Sequence, residues 1–210
     1  MKSYALLLSV LCFGCAGSAS DGAGSSWQNA SRGDADASSG TAGERWFPLK
    51  DGTLYHYKTE VLGDSVSTGM LVAKVHRASG TRGELRKPAG TQVFDFVPDG
   101  IATKTKTGAP AYLLKLPLDP NVQWLGPHGG ITKLSQQNLT VTLDIGTFSG
   151  CITTEEVRGG DAPLRIVTTL CPEVGITSLE VSQGGGVERA RLMYFGPPID
   201  IGAEGLQRVE

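Results

Sequence analysis

Four cysteines are the most reactive side chains of this 210-residue chain, and they fall into two groups. Cys12 and Cys15 sit in an apolar stretch near the N-terminus, whereas Cys151 and Cys171 lie far along the chain. Cys151 stands near the start of the segment 150–157 and Cys171 at the end of 164–171, around the turn Arg158-Gly159-Gly160-Asp161-Ala162-Pro163. Two strand-like segments joined by such a turn pair antiparallel and bring their outer ends together. The spacing therefore predicts a Cys151–Cys171 disulfide. No C-x-x-C or Cys/His ligand spacing near either residue argues for a redox or metal pair.

The remaining candidates for chemistry are isolated. His56, His76 and His128 are the only histidines, and none is near another in sequence. His56 and His76 alternate with charged residues, as exposed or hairpin-packed histidines do. His128-Gly129-Gly130 reads as a loop turn, and no G-x-S-x-G elbow accompanies it. Asp95, Asp99, Asp119, Asp144, Glu155, Glu156 and Asp161 are scattered, and the adjacent pair Glu155 and Glu156 points to opposite faces of a strand. Gly184-Gly185-Gly186 reads as a hairpin loop, because a phosphate cradle needs a following helix N-terminus. The sequence predicts no catalytic residue, no metal site and no cofactor. A hydrolase ranks last among the functions considered.

From Thr53 onward, short runs of Val, Ile, Thr, Tyr and Phe alternate with Gly, Pro, Asn and Asp turns. Period-two patterning predicts strands at 54–62, 69–78, 91–97, 101–106, 112–116, 139–145, the two cysteine segments, 176–183 and 187–195. No window sustains a 3.6-residue apolar period, so helix should be nearly absent. The fold class is all-β: a single antiparallel domain, a meander that curls into a curved sheet or open barrel to protect its edges, with a two-sheet β-sandwich as the alternative. The Pro-rich stretch 116–127 should cross the sheet in extended form, with Trp124 on the core.

The N-terminus supplies an address. Lys2 precedes a short apolar run from Tyr4 to Phe13, the pattern of a secretory signal peptide and too short to span a bilayer as a helix. The sequence Leu11-Cys12-Phe13-Gly14-Cys15-Ala16 resembles the lipobox of bacterial lipoproteins, departing from it at Cys12, where an aliphatic residue is usual. The resemblance implies a signal peptide over 1–14, lipidation of Cys15, and, with Ala16 rather than Asp following, the outer membrane of the cell envelope. Two or three acyl chains anchor a protein firmly, at about 0.8 kcal/mol per buried CH₂. Residues 16–44 are mostly Gly, Ala, Ser, Asp and Thr, which predicts a disordered tether over 15–44 and a β-rich domain over 45–210. The formal charge of −2 and the lack of a basic patch interleaved with aromatics argue against nucleic acid.

A second resemblance covers most of the domain. Trp46-Phe47-Pro48-Leu49-Lys50-Asp51-Gly52-Thr53-Leu54-Tyr55 is similar to the F-P-L-x-x-G-x-x-Y start of many uncharacterised bacterial lipoproteins, which continue with counterparts of residues 116–124, 146–151 and 170–176. That family has no assigned activity, so it implies the envelope and a β-rich domain only. The expected function is a non-enzymatic envelope lipoprotein presenting its β-domain to a protein or glycan partner. The second expectation is a carrier of lipid or another hydrophobic ligand, with Phe94, Phe96, Leu113, Leu114 and Met193 lining its cavity. A fatty-acid analogue fed to expressing cells should label the chain, and Cys15→Ala should abolish the label. An unlabelled parent chain contradicts the anchor.

Overall fold

Alternation of inward apolar and outward polar residues shapes nearly all of the structure, a computed structural model that describes residues 41–63, 66–161, 163–202 and 205–208. In β1 (Leu54–Leu62) the phase is set by Tyr55 and Tyr57, both buried. The same alternation continues through β2 (Ser67–Ser79), β3 (Arg82–Lys87), β4 (Gly90–Val97), β5 (Gly100–Lys104) and β6 (Pro110–Lys115). Beyond the Pro-rich crossing come β7 (Gln123–Leu125), β8 (Ile131–Leu143), β9 (Gly146–Arg158), β10 (Leu164–Cys171), β11 (Gly175–Gln183) and β12 (Gly186–Gly196). A separate two-stranded hairpin, β13 (Ile199–Gly202) and β14 (Gly205–Arg208), follows.

Twelve strands form one antiparallel sheet in the order β6-β5-β4-β3-β2-β1-β12-β11-β10-β9-β8-β7. The fold is therefore all-β and nearly closed into a barrel, a single curved sheet rather than a two-sheet sandwich. Pairing of β1 with β12 joins the two halves of the meander, and the free edges β6 and β7 meet at the seam. There the Trp124 indole donates to the Tyr112 carbonyl at 3.0 Å, a side chain standing in for a ladder bond. Contact at this seam covers part of the edge that an open meander would expose.

The registers define two ends. Leu54 lies beside Gly196 and Lys74 at one end, the base, and Leu62 lies beside Val187 at the other, the mouth. The chain enters at the base. The Thr41 amide donates to Glu44 Oε2 at 3.0 Å at the start of α1 (Ala42–Trp46), and Gly43 is buried against Ile101 and the Gly100 carbonyl, where a Cβ would sit 3.0 and 3.2 Å from its neighbours. Residues 41–44, which the composition assigned to the tether, thus belong to the folded base. Trp46, Phe47 and Leu49 follow as a plug, with Phe47 edge-on to Phe94 at 5.2 Å.

Two further features close the base. The β8–β9 arm runs past the end of β10, bends at three register irregularities, and packs Val141, Leu143, Ile145 and Phe148 on the core. Phe148 reaches Phe195, and Phe195 stacks on Tyr55, each at 6.4 Å. A disulfide joins Cys151 of the arm to Cys171 at the end of β10.

Five elements lie outside the strands expected from sequence: β3, β7, the first half of β8, and the hairpin strands β13 and β14. In β3 only Gly83 and Leu85 face inward while Arg82, Glu84 and Arg86 face out, so charge masks the alternation. Reduction of the disulfide, or Cys171→Ser, should lower unfolding free energy by about 3 kcal/mol through loss of the chain constraint, read by urea titration. An unchanged midpoint contradicts this role.

Candidate functional site

Toward the mouth Leu164, Ile166 and Val181 form a small buried cluster apart from the main core. Beside it the upper half of the barrel holds two adjoining chambers. The inner, of about 70 Å³, is bounded by Tyr57, Leu71, Ala73, Leu85, Phe94 and Leu113 on one side and by His128, Thr132, Thr154 and Glu156 on the other. The outer, of about 260 Å³, lies under the β3–β4 turn Lys87-Pro88-Ala89 and is lined by Thr59, Val61, Val181 and Glu188. Leu71, Lys87, Leu179 and Ala190 line both. Small-molecule sites run to roughly 300–1,000 Å³. The two chambers together reach the lower end of that range.

The polar wall of the inner chamber is built by the β7–β8 turn. Gly126 donates to the Gly130 carbonyl at 2.8 Å, and Gly129 adopts φ +81°. Gly130 lies so close over β9 that a Cβ would stand 2.7 Å from the Val157 carbonyl oxygen, so only glycine fits. Folded over in this way, the turn aims its backbone at Glu156. The His128 and Gly130 amides donate to Glu156 Oε1 at 2.9 and 2.8 Å, and His128 Nδ1 lies 2.9 Å from Oε2. The Arg158 guanidinium in turn donates to the His128 carbonyl at 3.1 Å. A buried carboxylate is stable only when hydrogen-bonded in this manner. Beside it, the Thr132 hydroxyl is buried without a hydrogen-bond partner.

Glu188 marks the outer chamber. Its Oε1 is buried with no partner, and burial raises its pKa above the usual glutamate range. Neighbouring charges on the outer face are satisfied in pairs, Glu60 with Lys58 at 2.9 Å and Arg189 with Glu180 at 2.7 Å.

The positions singled out from sequence separate into three places. Glu155 and Glu156 do diverge: Glu155 bonds Arg165 outside the barrel at 2.6 Å, which lowers its pKa, whereas Glu156 faces in. His128, read as a turn residue, occupies that turn but is buried against a carboxylate, a contact absent from the sequence reading. His56 sits edge-on to Tyr194, and His76 meets Asp51 at the surface. Of the five residues expected to line a cavity, Phe94 and Leu113 do so. Phe96 and Leu114 are instead packed solid in the core, and Met193 faces outward, because it follows Leu192 out of the inward phase of β12. Among the described residues no three His, Cys, Asp or Glu converge as a metal site. Cys15, its lipobox and residues 15–40 of the tether lie outside the described residues.

Glu156 and Glu188 were legible in one respect that the sequence reading did not use. Each continues an inward phase, Glu156 after Ile152 and Thr154, Glu188 before Ala190 and Leu192. An acid in the apolar phase of a strand is the signal.

No known protein family and no curated protein matches the chain. Among solved structures, it is similar to a Bacteroides fragilis protein classed as exported and of YmcC-like fold. That similarity has a TM-score of 0.48 at 11% identity, covering 72% of this chain and 99% of the other.

Because burial raises the Glu188 pKa, the native state resists its ionisation. The cost is absent while the carboxyl is protonated in both states and grows as pH rises above the unfolded value. Glu188→Gln should therefore stabilise the protein at neutral pH and make no difference near pH 3, as followed by thermal unfolding. Equal stability of the two proteins across that span contradicts the buried placement.

Proposed function

We propose that this chain is an envelope lipoprotein, anchored through Cys15, whose barrel is a non-enzymatic carrier of a small hydrophobic ligand. The observation that supports it is the half-filled lumen: large side chains pack the base, and apolar walls leave space at the mouth. This favours the carrier over simple partner presentation. The described chain enters at the base, so a lipid anchor at Cys15 would attach through the closed end. The mouth can then point away from the lipid surface that holds the protein, open to ligand arriving from outside.

Partner presentation keeps one observation of its own. Ile131 and Val157 are directly paired across β8 and β9 on the outer face beside the mouth, and they are 53% and 47% exposed. Such a pair could seat a protein that delivers or receives the ligand.

The test is native mass spectrometry of the full chain bearing Cys15→Ala, recovered without detergent. A small noncovalent ligand, or uptake of added long-chain alcohol after delipidation, is the expected result. A bare mass that takes up no apolar probe removes the carrier reading.

A further inference from the structure

The chemistry of the chamber walls narrows the ligand class. Resting on the carrier reading, we propose that the ligand is a lipophilic amine, its alkyl body in the lumen and its ammonium head on Glu188. Glu188 stands near the mouth, opposite Val61 on β1 and Val181 on β11, both inward and apolar. A carboxyl in that setting has lost water on one oxygen without gaining a partner. An unsatisfied buried acceptor costs about 1–3 kcal/mol, more when charged, and a ligand donor recovers it. An ammonium recovers most, because it supplies both hydrogen bonds and the missing counter-charge.

Among the described residues nothing nearby competes for that role: Glu188 makes no ion pair, the Arg189 guanidinium is held on the outer face by Glu180, and Lys87 is itself engaged. Burial shifts the Glu188 carboxyl toward its neutral form, and an arriving cation draws it toward its ionised form. A second inward carboxylate, Glu156, lines the adjoining chamber, where it and Glu188 both disfavour an anionic head. The Thr132 hydroxyl, 3% exposed and unpartnered on the inner chamber, offers a further polar contact to a ligand that reaches it.

The experiment compares decylamine, decanol and decanoate, each below its aggregation threshold, by calorimetric titration into the full chain bearing Cys15→Ala. Decylamine should bind tightest at neutral pH, by about tenfold over decanoate. Glu188→Gln should bring decylamine down to the affinity of decanol while decanol binding persists, which shows the lumen intact. Decanoate binding as tightly as decylamine, or an amine preference that survives Glu188→Gln, overturns the head-group assignment and leaves the carrier reading standing. Failure of all three to bind overturns both.

Discussion

A closed sheet of this size encloses more space than its own inward side chains fill, and the structure depends on how that space is divided. The base is filled by a segment that belongs to no strand: Phe47 sits under the turn 171–175, where a Cβ on Gly175 would lie 2.6 Å from its ring. The Glu173 amide donates to the Arg45 carbonyl at 2.7 Å, and the Tyr55 hydroxyl donates to the Val174 carbonyl at 3.1 Å. The disulfide holds the same turn to the β8–β9 arm. Plug, turn and arm therefore form one locked layer. Because this layer packs densely, the upper lumen need not be solid for the barrel to be stable.

That division explains what could be read in the sequence. The strand pattern was legible wherever apolar residues alternate with polar ones, as in β1, β4, β11 and β12. Of the segments that carry the resemblance to bacterial lipoproteins, 46–55, 146–151 and 170–176 meet at the base, and 116–124 leads to the seam at Trp124. They are motifs of construction: an aromatic plug, a curled arm, and a glycine at φ +99° that clears the plug's ring. The mouth has no such motif. Its character comes from single departures in otherwise ordinary strands, Glu156 in β9 and Glu188 in β12, which share one register row through Ile166 and Val181.

Closure also separates roles that look alike in one dimension. Glu155 and Glu156 are neighbours in sequence, yet one is a surface ion-pair partner of Arg165 and the other anchors a turn through two backbone amides and His128. The Glu156 carboxylate is thus occupied with holding the wall of the inner chamber. Glu188 has no comparable partner, which leaves it available to a ligand.

The claim that the lumen is filled at the base and hollow at the mouth can be tested without knowing the ligand. Dry apolar chambers take up xenon, whereas packed cores do not. A crystal structure under xenon pressure should show the gas in the outer chamber between Leu71, Leu179 and Val181, and none around Phe47 and Leu49. Xenon at the base, or an outer chamber closed by collapsed side chains, would contradict this account.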